Sequence, residues 1–277
     1  MGEGLRAENL AAPAGGAVRV VSQTVGTDEL LLALAEPGQI AALSHLAREG
    51  AYSAVAEDAA RYPQVDKLCD VEGVLKFHPT LVLFTNYSRA ELVTQVRRAG
   101  VRVLVFDRYK TLDDAYANLR LLARELGPET EQRAEKLIAD CQARVAALAA
   151  RLRGAPKVRV IAPSTYGMIP GDESTFQDMC DHAAAENLAA TLGGLHGHEP
   201  PPNESMISWP IDRVVVAGEN LEHALSPFTN LPPYQFMPVV REKRVAVIPE
   251  WQLSCVTHHR IEGYEQLARA LHPEVFR

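Results

Sequence analysis

The chain has 277 residues, 47% of them hydrophobic and 23% charged, with 28 Lys+Arg against 35 Asp+Glu for a formal net charge of −7. That composition supports a sizeable buried core and excludes the disordered, fibrous and collagen-like classes. An acidic balance without a Lys/Arg cluster leaves no electrostatic footprint for nucleic acid, and no apolar run approaches the roughly 18 residues that read as a bilayer span.

Along the chain, residues 1–16 are Gly/Ala-rich and lack the apolar core of a secretory signal, so a cytosolic chain and a mature exported one fit equally. Short β-branched runs then recur at residues 18–21, 40–43, 80–84, 101–106, 158–161, 214–216 and 244–248, with helical stretches between them. Strands of this length alternating with helices read as βαβ units on largely parallel sheets, an α/β protein. Over residues 129–153, Ala134, Leu137, Ile138, Cys141, Val145, Leu148 and Leu152 recur at three- and four-residue steps, which makes one apolar stripe on a single long helix. Gly127-Pro128 opens that helix and Gly154 closes it. The expected organisation is an N-terminal lobe over 17–127, an inter-lobe helix over 128–154 and a C-terminal lobe over 155–277.

The two halves echo one another. Glu72 stands eight residues ahead of Thr80, which opens one strand, and Glu204 stands eight residues ahead of Asp212, which opens another. An amphipathic turn separates acid from strand in each, with Val71, Val74 and Leu75 in the first and Met206, Ile207 and Trp209 in the second. Each copy ends in a further β-rich run, at Phe106-Asp107-Arg108-Tyr109 and at Ile248-Pro249-Glu250-Trp251, which suggests an internal duplication.

Common catalytic signatures are missing: no GxxxxGK[ST] phosphate loop, no GxGxxG after a strand, no GxSxG elbow and no HExxH. Cys69, Cys141, Cys180 and Cys255 are widely spaced and read as buried single thiols. Adjacent His258 and His259 diverge on any regular element and make a poor metal pair, whereas His196 and His198 share a loop. No metal site of the protein's own and no catalytic residue is assigned. An enzymatic rival would have to draw on the scattered His182, His258 and Glu250.

What stands out is the polar and aromatic content of the strand C-termini, where open α/β sheets bind ligands. Tyr52 follows the second strand, and Asn86-Tyr87, Tyr109, Tyr166 with Met168, and Trp251 follow later ones. Two lobes facing one another would line a cleft with these rings and few charges, a setting for a large planar or semi-polar ligand.

Several stretches taken in order carry a resemblance: the opening VRVVSQTVGTDELLLALAEPGQIAALSHLA, then VEGVLKFHPTLVLFTNY, LVTQVRRAGVRVLVFDRY, the loop PGDEST, ENLA and the ending RVAVIPEW. Over roughly residues 17–275 the chain resembles the class III substrate-binding proteins of ABC importers, which collect cobalamin, ferric siderophores or haem. The resemblance implies two Rossmann-like βα lobes joined by a single long α-helix, no enzymatic activity, a periplasmic or membrane-anchored extracytoplasmic location, a monomer, and a permease in the membrane as partner. It also implies that Glu72 and Glu204 dock onto basic residues of that permease and that Tyr52 meets the ligand, while Asn86, Tyr87, Tyr109, Tyr166, Met168 and Trp251 are expected ligand contacts from their places after the strands. The family's "KPD" is His78-Pro79-Thr80 in the first lobe and Pro210-Ile211-Asp212 in the second, a departure from the pattern. The implied cargo is a metal chelate. A nearly neutral corrinoid suits aromatic walls, an anionic ferric siderophore would call on Arg89, Arg108 and Lys110, and haem would need an axial group such as Tyr87, Tyr166 or His258.

Overall fold

The computed structural model describes residues 18–277, so the Gly/Ala-rich residues 1–16 lie outside the described residues. The chain divides into two compact units, the first comprising residues 18–107 with Asn118–Ala134 and the second Arg108–Ala117 with Glu135–Arg277.

The first unit takes up β1 (Val20–Ser22), α1 (Val25–Leu34), β2 (Ile40–Ala42), α2 (Ala56–Ala59), α3 (Val71–Leu75), β3 (Leu81–Thr85), α4 (Ala90–Arg98) and β4 (Arg102–Phe106) in chain order. Its sheet runs β2-β1-β3-β4 with every pairing parallel. All five residues of β3 are buried, because a parallel strand covered on both faces has no solvent side. Val21, Val82 and Phe84 from this sheet pack with Val74 of α3 and with Leu92 and Val96 of α4.

α5 (Leu112–Leu126) and α6 (Pro128–Arg151) follow. The 24 residues of α6 span about 36 Å at 1.5 Å per residue. Gly127 and Gly154 bracket it with φ of 125° and 83°, a region an L side chain rarely adopts, which is why the helix starts and stops where the sequence places glycine.

The second unit continues with β5 (Val158–Ile161), β6 (Ile169–Pro170), α7 (Thr175–His182), β7 (Ala185–Asn187), α8 (Leu188–Thr191), β8 (His198–Glu199), α9 (Asn203–Met206), β9 (Arg213–Ala217), α10 (Leu221–Leu225), α11 (Pro238–Arg241), β10 (Val245–Ile248), α12 (Glu250–Ser254) and α13 (Arg260–Leu271). Its main sheet runs β7-β5-β9-β10, again all parallel, and β6 pairs antiparallel with β8. Counted within each four-stranded parallel sheet, the strand order is second, first, third, fourth in both.

The echo read in the sequence is a structural repeat at atomic detail. In the first unit the Thr80 N–H donates to the Arg19 carbonyl at 2.8 Å, while the Arg19 N–H donates to Thr80 Oγ1 at 2.9 Å. In the second the Asp212 N–H donates to the Arg159 carbonyl at 2.9 Å, and the Arg159 N–H donates to Asp212 Oδ2 at 2.9 Å. The same two-way exchange thus locks the start of the third strand of each parallel sheet to its first. Asp212 adds a bidentate ion pair, accepting Arg159 Nε at 2.9 Å and Nη2 at 2.6 Å, and Arg159 holds its carboxyl below the usual aspartate range. Glu72 is the second residue of α3 and Glu204 the second of α9, and the residue two further on, Val74 or Met206, is fully buried in its unit's core.

The short strands β6, β7 and β8 are absent from the sequence reading. The edge strand β7, Ala-Glu-Asn, carries no β-branched residue and is not legible as a strand. Of the amphipathic turn read from Met206, Ile207 and Trp209, Met206 is buried and Ile207 exposed.

Two substitutions test the repeat by urea unfolding. Thr80→Val should cost about 1 kcal/mol, the loss of one neutral hydrogen bond. Asp212→Ala should cost about 1–2 kcal/mol at neutral pH, the partly exposed guanidinium adding little to the lost backbone acceptor. Because the folded pKa of Asp212 is depressed, that difference is present above its unfolded value and should close as the pH falls below about 4.

Candidate functional site

Parallel strands bring their C-termini to one edge of each sheet, and the sequence-selected residues lie there. In the first unit, Tyr52 sits in the connection after β2 with 46% of its surface exposed, and Tyr87 follows β3 with 59% exposed. The turn carrying Asn86 and Tyr87 is fixed from both sides. Its Asn86 N–H donates to the Phe106 carbonyl at 2.9 Å, and Ser88 Oγ accepts the Thr85 N–H at 3.1 Å while donating to Gln23 Oε1 at 3.0 Å. Gln23 closes β1, which lies between β2 and β3, so the ends of three neighbouring strands share one polar rim.

The connection bearing Tyr52 hangs from α1. Thr24 caps that helix through a reciprocal capping box with Thr27, and the helix then presents two consecutive buried acids, Asp28 at the end of the first turn and Glu29 after it. Asp28 accepts the Ser44 N–H at 3.0 Å and the Ser44 hydroxyl at 2.5 Å, and Glu29 accepts the Ala54 N–H at 3.1 Å. Burial, with Glu29 adding to it, pushes the Asp28 carboxyl up to about 7 against the opposing hydrogen bonds from Ser22 and Ser44.

In the second unit, Tyr166 follows β5 and is 92% exposed, with Met168 partly exposed beyond it. The Ser164 N–H donates to the buried Tyr234 hydroxyl at 3.4 Å, which ties this turn to the segment carrying the half-exposed Phe236. Trp251, on α12 after β10, is partly buried. Tyr109, also partly buried, is held by its backbone. Arg260, 2% exposed, donates to the carbonyls of Tyr109 at 2.8 Å and Lys110 at 3.0 Å and pairs with Asp178 Oδ2 at 2.8 Å. Tyr264 also donates to that Asp178 oxygen, and its ring stacks on His182 with centroids 4.3 Å apart. Asp178 stands four residues beyond the N-cap Ser174, the place Asp28 holds relative to Thr24.

The cations at these edges are committed to internal partners. Arg89 donates to the Cys69 carbonyl, Arg108 Nε reaches Asp114 at 3.0 Å, and Lys110 pairs with Glu173 at 2.6 Å. Glu72 and Glu204 are exposed on the first turns of α3 and α9.

His258 and His259 do not diverge as the sequence suggests. His258 and His259 precede α13 in a turn rather than on a regular element, so their rings come together, with centroids 4.2 Å apart. His258 is buried, and burial lowers its pKa to about 3, which leaves a neutral interior imidazole rather than an accessible axial group. His196 pairs with Asp172 at 2.7 Å, which raises its pKa, and His198 lies in β8. Among the described residues no three His, Cys, Asp or Glu side chains converge as a metal site. All four cysteines are buried and free.

Asp28, Glu29, Arg260 and Phe236 are the residues that the sequence did not single out. Acids in a first helical turn read as ordinary macrodipole partners, and the partner of Arg260 lies 82 positions away. The aromatic run SPFTNLPPYQFMP was the available signal for Phe236.

Residues 20–251 match a family model described as periplasmic binding protein. Solved structures with the same fold include a periplasmic heme-binding protein of Roseiflexus sp. RS-1 in its apo form, at 22% identity and TM-score 0.78, covering 94% of this chain and 100% of that one. The periplasmic heme-binding protein of Vibrio cholerae is 23% identical with TM-score 0.76, over 92% of this chain and 99% of that one. A possible iron-binding, periplasmic solute-binding protein of Staphylococcus epidermidis is 17% identical with TM-score 0.77, over 92% and 98%. No curated protein matches the sequence. No helix among the described residues is long and apolar enough to cross a membrane.

Replacing Arg260 by Met would leave the Asp178 carboxylate buried beside three carbonyls, of Tyr109, Lys110 and Cys255, that lose their guanidinium donor. Urea unfolding of the full chain should report a loss of about 3–5 kcal/mol, and a loss under about 1 kcal/mol would contradict a structural role for the pair.

Proposed function

The chain belongs to the periplasmic binding protein family, and from that premise we propose that it is the substrate-binding protein of an ABC importer that takes up a metal-bearing tetrapyrrole, with a corrinoid as first candidate. The observation that carries this reading is the chemistry of the strand C-termini. In a chain with only 6% aromatic residues, Tyr52 and Tyr87 are exposed at that edge of one sheet and Tyr166 at that edge of the other. Broad rings with few free charges suit a large, nearly neutral, partly apolar ligand.

The committed state of Arg89, Arg108 and Lys110 argues against an anionic ferric siderophore, which would draw on unpaired cations. Haem is the second reading, favoured by the similar structures described as heme-binding and by the exposed phenols of Tyr87 and Tyr166, since Tyr is an established haem-iron ligand. The protein works outside the cytoplasmic membrane, chemically unchanged by its cargo, and hands it to a permease. Glu72 and Glu204, exposed at equivalent places of the repeat, are the docking acids: carboxylates duplicated in this way match a permease that is itself two-fold symmetric.

Quenching of Trp and Tyr fluorescence, titrated separately with cyanocobalamin, haemin and a ferric siderophore and corrected for inner-filter absorption, tests the cargo. Saturable one-to-one quenching by cyanocobalamin is the expected result, saturation by haemin alone would replace it with the second reading, and no response to any of the three would sink the proposal. Tyr52→Ala and Tyr166→Ala should each weaken the binding seen by about 1–3 kcal/mol, or roughly 5- to 150-fold. Reversing both docking acids, Glu72→Arg with Glu204→Arg, should leave that affinity intact and abolish uptake in reconstituted vesicles. Uptake that survives the double reversal would refute the docking assignment.

A further inference from the structure

Three separate stretches of the second unit meet at the guanidinium of Arg260, the first residue of α13 and 2% exposed. Its Nη2 donates to the Tyr109 carbonyl at 2.8 Å and to the Cys255 carbonyl at 3.3 Å, and its Nη1 donates to the Lys110 carbonyl at 3.0 Å and to Asp178 Oδ2 at 2.8 Å. Cys255 directly follows α12 and so ends the helix that carries Trp251, while Asp178 ends the first turn of α7. Tyr109 and the Trp251 helix, both parts of the candidate site, are therefore bonded to the same nitrogen of one buried side chain.

The stretch of Tyr109 and Lys110 is held a second time. While the Lys110 carbonyl accepts from Arg260, its ammonium pairs with Glu173 at 2.6 Å. Glu173 immediately precedes Ser174, which caps α7 and donates its hydroxyl to the Gly171 carbonyl at 2.7 Å. Backbone and side chain of residue 110 are thus bonded to α13 and to the entry of α7, and Asp178 joins those two helices through Arg260 itself. Tyr264, one turn along α13, donates to the same Asp178 oxygen and stacks on His182. A buried ion pair gains little over a well-packed apolar replacement, because desolvation offsets its Coulomb attraction. What a guanidinium adds is a rigid planar fork that fixes the direction of every acceptor around it.

We propose that Arg260 is a positioning residue for ligand recognition, setting the Tyr109 backbone and the end of the Trp251 helix in one fixed relation. The inference rests on the reading of this sheet edge as a macrocycle site and deepens it. Buried as it is, Arg260 does not meet the ligand and acts through Tyr109 and Trp251. A preformed wall spares the ordering cost that binding otherwise carries, so losing the fork weakens affinity in a chain that still folds.

Arg260→Lys keeps a cation for Asp178 and removes the fork. Equilibrium dialysis of the full chain against cyanocobalamin, with haemin in parallel, should show affinity for the macrocycle that binds falling roughly 3- to 100-fold, the range of coupling within one hydrogen-bond network. In a chain already carrying Tyr109→Ala and Trp251→Ala the same substitution should cost nothing further, a coupling that a residue serving stability alone does not show. Tyr264→Phe keeps its ring and removes only the bond to Asp178, and it should lower affinity in the same sense by a smaller factor. Leu267→Ala destabilises the same helix from its fully buried face and should leave affinity unchanged. Affinity unchanged in Arg260→Lys or, should that chain not fold, in Tyr264→Phe would overturn the inference and leave the ligand reading standing. An equal loss in the Tyr109→Ala, Trp251→Ala chain, or in Leu267→Ala, would do the same. Failure of either macrocycle to bind the unaltered chain would overturn both.

Discussion

Parallel strands cannot be joined by a tight turn. Each must cross back over the sheet, so all connections leaving strand C-termini gather at one edge and those entering N-termini gather at the other. Both units obey this constraint with the same strand order, and the division of labour follows from it. At the N-terminal edge Arg19 with Thr80, and Arg159 with Asp212, lock first strand to third by backbone and side-chain exchange. At the C-terminal edge the turns carry the exposed Tyr52, Tyr87 and Tyr166.

Duplication supplies two versions of each solution and shows which physical terms are interchangeable. Thr80 and Asp212 accept the same backbone N–H, one as a neutral hydroxyl and the other as a carboxylate that also engages Arg159. Asp28 and Asp178 occupy the same helical position and both organise a distant segment, yet only Asp178 meets a guanidinium. The paired version is fixed by charge. The other is held by the amide and hydroxyl donors of Ser44.

How much of this was legible in the sequence depends on how local the signal was. Buried central strands such as β3 and β9 announce themselves by β-branched runs, and α6 by its stripe between Gly127 and Gly154, because those patterns are set by covering both faces of a strand or one face of a helix. The pair Glu72 and Glu204 was legible because the spacing from acid to strand is repeated. The edge strand β7 was not, since three residues pairing along one side need no β-branched pattern. Nor were the supports under the candidate site: Asp28 reads as a first-turn acid until Ser44 is folded against it, and Arg260 reads as a surface cation until Asp178, Tyr109 and Lys110 close around it. The burial of His258 likewise depends on tertiary packing that no local pattern carries.

Recognition of the proposed ligand at the C-terminal edges of the two parallel sheets can be read residue by residue. Backbone amide NMR of the deuterated protein, titrated with diamagnetic cyanocobalamin and separately with gallium protoporphyrin in place of haemin, tests it most directly. The account predicts saturable shifts at Tyr52, Asn86, Tyr87, Tyr166 and Met168 with one of the two, and unmoved resonances at Arg19, Thr80, Arg159 and Asp212. Shifts concentrated at those four N-terminal-edge residues, or none at the C-terminal edges with either macrocycle, would contradict it.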